Sequence, residues 1–249
     1  MIREKLMEGD IGRTVDFRWR GQEVSRIEGL SDAVFAFAIT LLVVSLEVPK
    51  TFAELAETMH GFGAFLISFA LLFFVWFGQY KFFRRYGLRD TITVVLNAAL
   101  LFVVLFYVYP LKFLFAFLVD RFTGGHGEVR LPNGNVVPMI ENNEQMASLM
   151  TIYNLGYLAV FGLFVLLFWH AYRKREALEL NELEEFDTRE SILESALNCC
   201  IAVVSLLVLA IGGVGRAGLA GVAYMLTPIV MTLNGRIMGA RRRKLKAGL

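Results

Sequence analysis

Only two cysteines, five prolines and three histidines occur in the 249 residues, and each scarcity removes a class of explanation. Cys199 and Cys200 are adjacent inside an apolar run, which suits neither a disulfide framework nor a metal site. They read as buried small apolar residues. His60, His126 and His170 fall in separate connections or at helix ends, and no His/Cys/carboxylate cluster has metal-ligand spacing. Nucleophile-elbow and phosphate-loop patterns are missing as well. The chain therefore does not read as an enzyme, and no resident cofactor or metal is expected. "GVGRAG", Gly213 to Gly218, has the glycine spacing of a dinucleotide fingerprint, but it follows no strand and lies in no βαβ unit. A tight turn followed by close helix packing is the better reading.

Charge is scarce where apolar residues run longest. The sequence is 56% hydrophobic with a mean hydropathy of +0.56. Its apolar residues gather in six long blocks, near residues 28–48, 62–83, 92–118, 147–171, 192–212 and 217–236, and the first four hold 18 of the 22 phenylalanines. Each is close to the roughly twenty residues a helix needs to cross a bilayer. Backbone groups in lipid must be bonded within the segment, and nothing alternates with the period of two that a barrel strand requires. The fold class expected is all-α, a polytopic membrane protein with six transmembrane helices spread over 26–240. A polar and charged segment precedes the first block, which therefore does not read as a signal peptide.

Twenty of the 25 Lys and Arg residues fall in or near the two terminal segments and the second and fourth connections; five fall in or near the other three. Such alternation fits the positive-inside rule for six crossings with both termini cytoplasmic. This gives a cytoplasmic segment at 1–25 and a basic tail at 241–249. The tail "RIMGARRRKLKAGL" reads as a juxtamembrane cluster meeting anionic lipid, not as a nucleic-acid patch. The one long connection, 119–146, contains "EVRL-PNGN-VVPMI", the pattern of two short strands about an Asn-Gly turn. "YRKREALELNELEEFDTRE" reads as a helical extension into water, a solvated face.

The first block, "RIEGLSDAVFAFAITLLVVSLEVP", raises a sharper question. Its purely apolar part is too short to span, so Asp32 is drawn towards the bilayer. A carboxylate there costs at least about 2.5–3.5 kcal/mol unless paired or wet. Either Ser31 or Asp32 caps the helix start, or the helix begins earlier and Asp32 meets a partner such as Arg26, Trp76, Gln79 or Asn97. In a continuous helix, Asp32, Ala36, Ile39 and Val43 share one face, while Ala33, Phe37, Thr40, Leu41 and Val44 share another. Periodicity leaves open whether that second face meets lipid, another helix or a pore.

The same stretch resembles the first-helix signature of the transmembrane protein 175 family, the endolysosomal potassium channels and their bacterial relatives. That signature is an Arg, then Phe-Ser-Asp, an Ala/Val/Ile-rich helix with Thr-Leu-Leu, and an acidic residue before Pro. The likeness continues into "FLISFALLFFVWFGQYKFF", with Trp76 in place of the family's second-helix Trp, and into "DTITVVLNAALLF", with Asn97 in place of the third-helix Asn. It is strongest over 26–118, and the length fits a bacterial single-repeat member. The resemblance implies a homotetramer in a bacterial plasma membrane, with four first helices lining a pore that prefers potassium and lacks a glycine-rich carbonyl filter. By position it assigns Phe37 to the constriction and Thr40 to the ring where a potassium ion would pause. Leu41 and Val44 follow as the next pore-facing turns, and Arg26, Ser31, Asp32, Trp76 and Asn97 form a structural brace. Hydrophobic constrictions would gate by dewetting.

Three positions depart from the family pattern. Leu30 stands for Phe, Phe37 for an Ile or Leu, and Gln79 with Tyr80 for a second-helix histidine. The alternatives are a non-conducting membrane scaffold or closed-pore member, and a secondary transporter. The last predicts broken helices and ionisable residues in corresponding halves, whereas the helix interiors carry little charge beyond Asp32 and Glu194.

Overall fold

The computed structural model describes residues 17–21, 23–44, 50–52, 55, 59, 61–125, 127–130 and 135–248. Glu47, Pro49, His60, His126 and the Asn133–Gly134 turn lie outside the described residues. Helix α1 (Arg26–Val44) is followed by α2 (Phe62–Tyr86) and α3 (Thr91–Phe122). Strands β1 (Glu128–Arg130) and β2 (Val136–Pro138) pair antiparallel, with Val129 opposite Val137, as the hairpin pattern predicts. Then come α4 (Asn143–Arg173), α5 (Glu182–Gly212), the short α6 (Ala217–Val222) and α7 (Leu226–Gly248).

Helices α2 to α5 and the run Val214–Gly248 are each long and apolar enough to cross a membrane. With α1, about 28 Å long at 1.5 Å per residue, they make an all-α polytopic membrane protein of six helices. Its surface agrees. Phe102 is 71% exposed, Phe106 69% and Ile211 83%, a density of uncovered apolar side chains that water does not tolerate but lipid does. Neighbouring helices pack in chain order, α1 on α2 and α3, α3 on α4, α4 on α5, and α5 on α6 and α7. The core sits where these meet, around Phe82, Leu100, Val104, Val108 and Leu167.

Several sequence expectations need correction. Cys199 is only half-buried and Cys200 is exposed, because both lie on the outer side of α5. Lys112 lies within α3, as the block 92–118 implies, and its Nζ donates to the Leu42 carbonyl at 2.7 Å. α7 runs on to Gly248, so the basic tail is helical. The glycine-rich stretch does make a turn, with Gly213 at φ 66° opening a 3-10 segment over Val214–Arg216.

The largest correction concerns the stretch after α4. It is solvated on one side only: Arg173, Glu176, Glu179 and Glu182 are exposed, while Glu184 and Asp187 are buried at the centre of an ionic lattice at the Arg-rich end of the bundle. Asn181 and Glu184 form a capping box at the start of α5. Glu184, 1% exposed, also accepts from the Arg18 amide at 2.7 Å and from the Arg20 guanidinium at 2.7 and 3.1 Å. Arg20 spends its remaining donors on the carbonyls of Arg18, Leu178 and Glu179. Asp187 holds Arg242 of α7 through two bonds of 2.7 and 3.0 Å. Charge alternation along the sequence conceals this, since the partners lie 55 to 166 positions apart.

The irregular N-terminal segment 17–21, which is not a β-strand, closes the same end. The Arg20 and Gly21 amides both donate to the Arg84 carbonyl at 3.1 Å. A Cβ on Gly21 would lie 2.4 Å from the Phe83 carbonyl oxygen, so glycine alone permits this crossing. Gly87 (φ 58°) ends α2 in the left-handed region and lies against the same segment.

Asp90, before α3, accepts from His170 Nε2 at 2.7 Å, Lys174 Nζ at 2.9 Å and the Thr93 hydroxyl. Burial alone would raise its pKa, but the bonds from Thr93, Lys174 and His170 together hold the carboxyl well below the usual carboxylate range. A group depressed in the folded state stabilises above its unfolded pKa of about 3.9 and loses that contribution as pH falls towards the folded value. Purified wild-type protein should therefore melt progressively lower as pH drops below about 4. Asp90→Asn should melt lower at neutral pH and lack that part of the acid dependence, read by thermal unfolding across pH.

Candidate functional site

The sequence expectations converge on α1, and its start is the first fact to fix. Ser25 and Glu28 form a capping box that the sequence reading overlooked in "SRIE". The Ser25 amide donates to Glu28 Oε1 at 2.9 Å, and the Glu28 amide donates to Ser25 Oγ at 3.3 Å. The helix thus begins at Arg26, and neither Ser31 nor Asp32 is its cap. Ser31, one and a half turns in, donates its hydroxyl to the Ile27 carbonyl at 2.8 Å.

Arg84 locks this start to the rest of the bundle. It donates to the Gly21 carbonyl at 2.7 Å, stands 3.8 Å from the Glu28 carboxylate and covers the Tyr80 ring. The helix is therefore held at its first turn by α2 and by the N-terminal segment together.

Further along, α1 is fixed in rotation by buried polar contacts to α2 and α3. Asn97 Nδ2 donates to Ser31 Oγ at 2.9 Å. Gln79 Nε2 donates to Asn97 Oδ1 at 2.5 Å. All three side chains are buried, at 1 to 2% exposure. Beside them, Trp76 Nε1 donates to Asp32 Oδ1 at 2.8 Å. Trp76 belongs to a row of rings along α2, Phe62, Phe65, Phe69, Phe73, Trp76 and Tyr80, each touching the next. Of the predicted brace residues the structure joins Ser31, Asp32, Trp76 and Asn97. It adds Gln79, which the sequence named only as a possible partner of Asp32. Arg26 is exposed and takes no part in this network.

The packed face of α1 is Ser31, Phe35, Ala38 and Leu42, all buried. This corrects the two-face reading. Ala36 and Val43 do not face neighbouring helices but are exposed, and Ile39 is half-buried. Small residues decide the register, since Ser31 and Ala38 let α3 approach closely. At about 100° per residue, Thr40 lies on the opposite side of the helix from Ser31. Ala33, Phe37 and Thr40 form an uncovered stripe there, with Phe37 57% exposed. Leu41 is half-buried at the edge of this stripe. Val44 ends the described helix, and its side chain lies outside the described residues.

Thr40 carries one further detail. Its hydroxyl donates to the Ala36 carbonyl at 2.8 Å, which uses its only hydrogen inside the helix and leaves oxygen lone pairs directed outward. Near the other end of α1, Lys112 ties the Leu42 carbonyl to α3. The helix is thus fastened at three levels on one side and free on the other. Among the described residues no group of three His, Cys, Asp or Glu side chains has the geometry to hold a metal ion.

Comparison with known proteins places this arrangement. A sequence model of the family described as endosomal/lysosomal potassium channel TMEM175 matches residues 26–107, the stretch that contains α1, α2 and every brace residue. A potassium channel from Marivirga tractuosa is 40% identical over 244 residues, spanning 97% of this chain and 98% of that one. One from Chamaesiphon minutus is 33% identical over 105 residues, 39% of this chain and 52% of its own length. The crystal structure of a variant of the potassium channel MtTMEM175, in complex with a nanobody fusion protein, superposes with a TM-score of 0.79. It is 40% identical, and the match covers 92% of this chain and all of that one. A TMEM175 homologue from Chamaesiphon minutus shares the fold at a TM-score of 0.52 and 22% identity, over 84% of this chain and 96% of that one. The chain belongs to the TMEM175 family of potassium channels.

Proposed function

We propose that four copies of the chain surround one axis with their α1 helices innermost, and that potassium crosses the membrane along that axis. The observation that carries this reading is the placement of Phe37 and Thr40 on the uncovered side of α1, opposite the side pinned by Ser31, Asn97 and Leu42. The relatives' description as potassium channels supports the ion. Both termini lie in the cytoplasm of a bacterial cell in this arrangement, as the charge alternation suggests.

The chemistry follows from the stripe. Phe37 supplies a ring of apolar bulk, which excludes water when narrow and admits it when the helices part. Thr40 supplies a ring of oxygen lone pairs that replace part of a cation's hydration shell. Four hydroxyl dipoles select less sharply than stacked carbonyl rings, so preference for potassium over sodium is modest. The buried pins matter here because a rotation of α1 by one residue would carry Thr40 off the axis.

Purified protein in liposomes should pass potassium faster than sodium; an absence of flux from well-folded protein would favour a scaffold. Thr40→Ala should lower the K⁺/Na⁺ permeability ratio, and an unchanged ratio removes Thr40 from the pathway. Phe37→Ala should raise single-channel current, and unaltered current would place the constriction elsewhere. Asn97→Ala leaves the buried Gln79 amide without its acceptor, at about 1–3 kcal/mol, and leaves Ser31 only its own bond to the Ile27 carbonyl. It should lower the melting temperature and blunt selectivity while Thr40 itself is intact.

A further inference from the structure

Away from α1 lies a cavity of about 580 Å³, within the roughly 300–1,000 Å³ range of ligand sites. It opens because α2 packs on α1 and α3, with no extended packing against α5 or α7 among the described residues. Its walls are apolar and aromatic, from Leu71, Phe74 and Phe77 of α2 to Tyr157 and Phe161 of α4. Phe74, which lines it, is 60% exposed on the apolar outer side of α2. At one end two opposite charges face the cavity, Lys81 of α2 and Glu194 of α5.

Neither charge completes an ion pair among the described residues. Lys81 rests on the Phe77 ring at 5.4 Å, and the Glu194 carboxylate makes no hydrogen bond there. Both stand where charged sequence gives way to apolar sequence: Lys81 precedes Arg84 and Arg85 on α2, and Glu194 follows Glu190 on α5. That is headgroup depth.

We infer that this cleft binds a zwitterionic phospholipid, its acyl chain along the aromatic wall, its phosphate on Lys81 and a primary ammonium on Glu194. An anionic lipid would meet Lys81 but be repelled by the carboxylate, and a bare hydrocarbon would leave both charges unmet. A quaternary ammonium has no N–H for Glu194, and Phe77, the ring beside the charged end, already carries Lys81. The site is independent of the pore reading, so its fate does not depend on conduction.

Native mass spectrometry of the intact assembly in mild detergent tests this with phosphatidylethanolamine, phosphatidylglycerol, phosphatidylcholine and tail-less glycerophosphoethanolamine as probes. Wild-type protein should retain phosphatidylethanolamine over the other two lipids by about threefold or more, and should not retain the tail-less compound. Lys81→Ala should weaken it by a similar factor. Glu194→Gln should abolish the preference over phosphatidylglycerol while leaving lipid bound. Size-exclusion elution and melting temperature confirm that the variants fold, and the wild-type headgroup ranking needs no variant. Equal retention of all three lipids, preference for phosphatidylglycerol, or indifference to both substitutions overturns the assignment. So does a disulfide between copies of Phe74→Cys, which would show a second chain covering the cleft.

Discussion

Asn97 is the side chain on which the arrangement of the first helix depends. One amide reaches two helices at once, donating to Ser31 of α1 and accepting from Gln79 of α2. In a membrane no hydrophobic force separates one helix face from another, since lipid tails are as apolar as leucine. Which side of α1 turns inward is therefore decided by directional contacts and close packing. The Ser31–Asn97–Gln79 chain, with Trp76 on Asp32 beside it, supplies the direction, and Ala38 supplies the closeness. Everything on the opposite side of the helix is left uncovered as a result.

The Arg-rich end does a different job by different means. Arg20, Glu184, Asp187 and Arg242 join the N-terminal segment, the start of α5 and the end of α7 into one lattice. Buried ion pairs add little net stability over apolar packing but penalise any misplaced partner heavily. Their effect is to define which helix ends meet. The two ends of the sequence are thereby joined to the same helix, and the bundle is closed where it leaves the membrane.

Much of this was legible in the sequence. Six apolar blocks, the pairing of β1 with β2 and the turn at Gly213 all follow from local pattern, because each depends on residues close together in the chain. The bond from Trp76 to Asp32 was within reach too, as a carboxylate at a helix threshold demands a partner and few polar side chains were available. What local pattern could not show was the rotation of α1. Ser31 and Asp32 are adjacent and both polar, and only the third dimension shows that the first is buried and the second marginal. The capping box in "SRIE" was a signal missed, since Ser25 and Glu28 have the standard spacing. The ionic lattice was hidden for another reason. A run such as "RKREALELNELEEFD" looks solvated until distant Arg20 and Arg242 are known to lie against it.

Lys112 has a consequence of its own. It reaches the Leu42 carbonyl from α3, two residues beyond Pro110, whose missing amide weakens the third helix at that level. The first helix is thus moored near Ser31 and, farther along, to the limb of α3 that lies beyond its proline. A bend of α3 at that proline would reach α1 through Leu42, at the end of the helix away from its capped start.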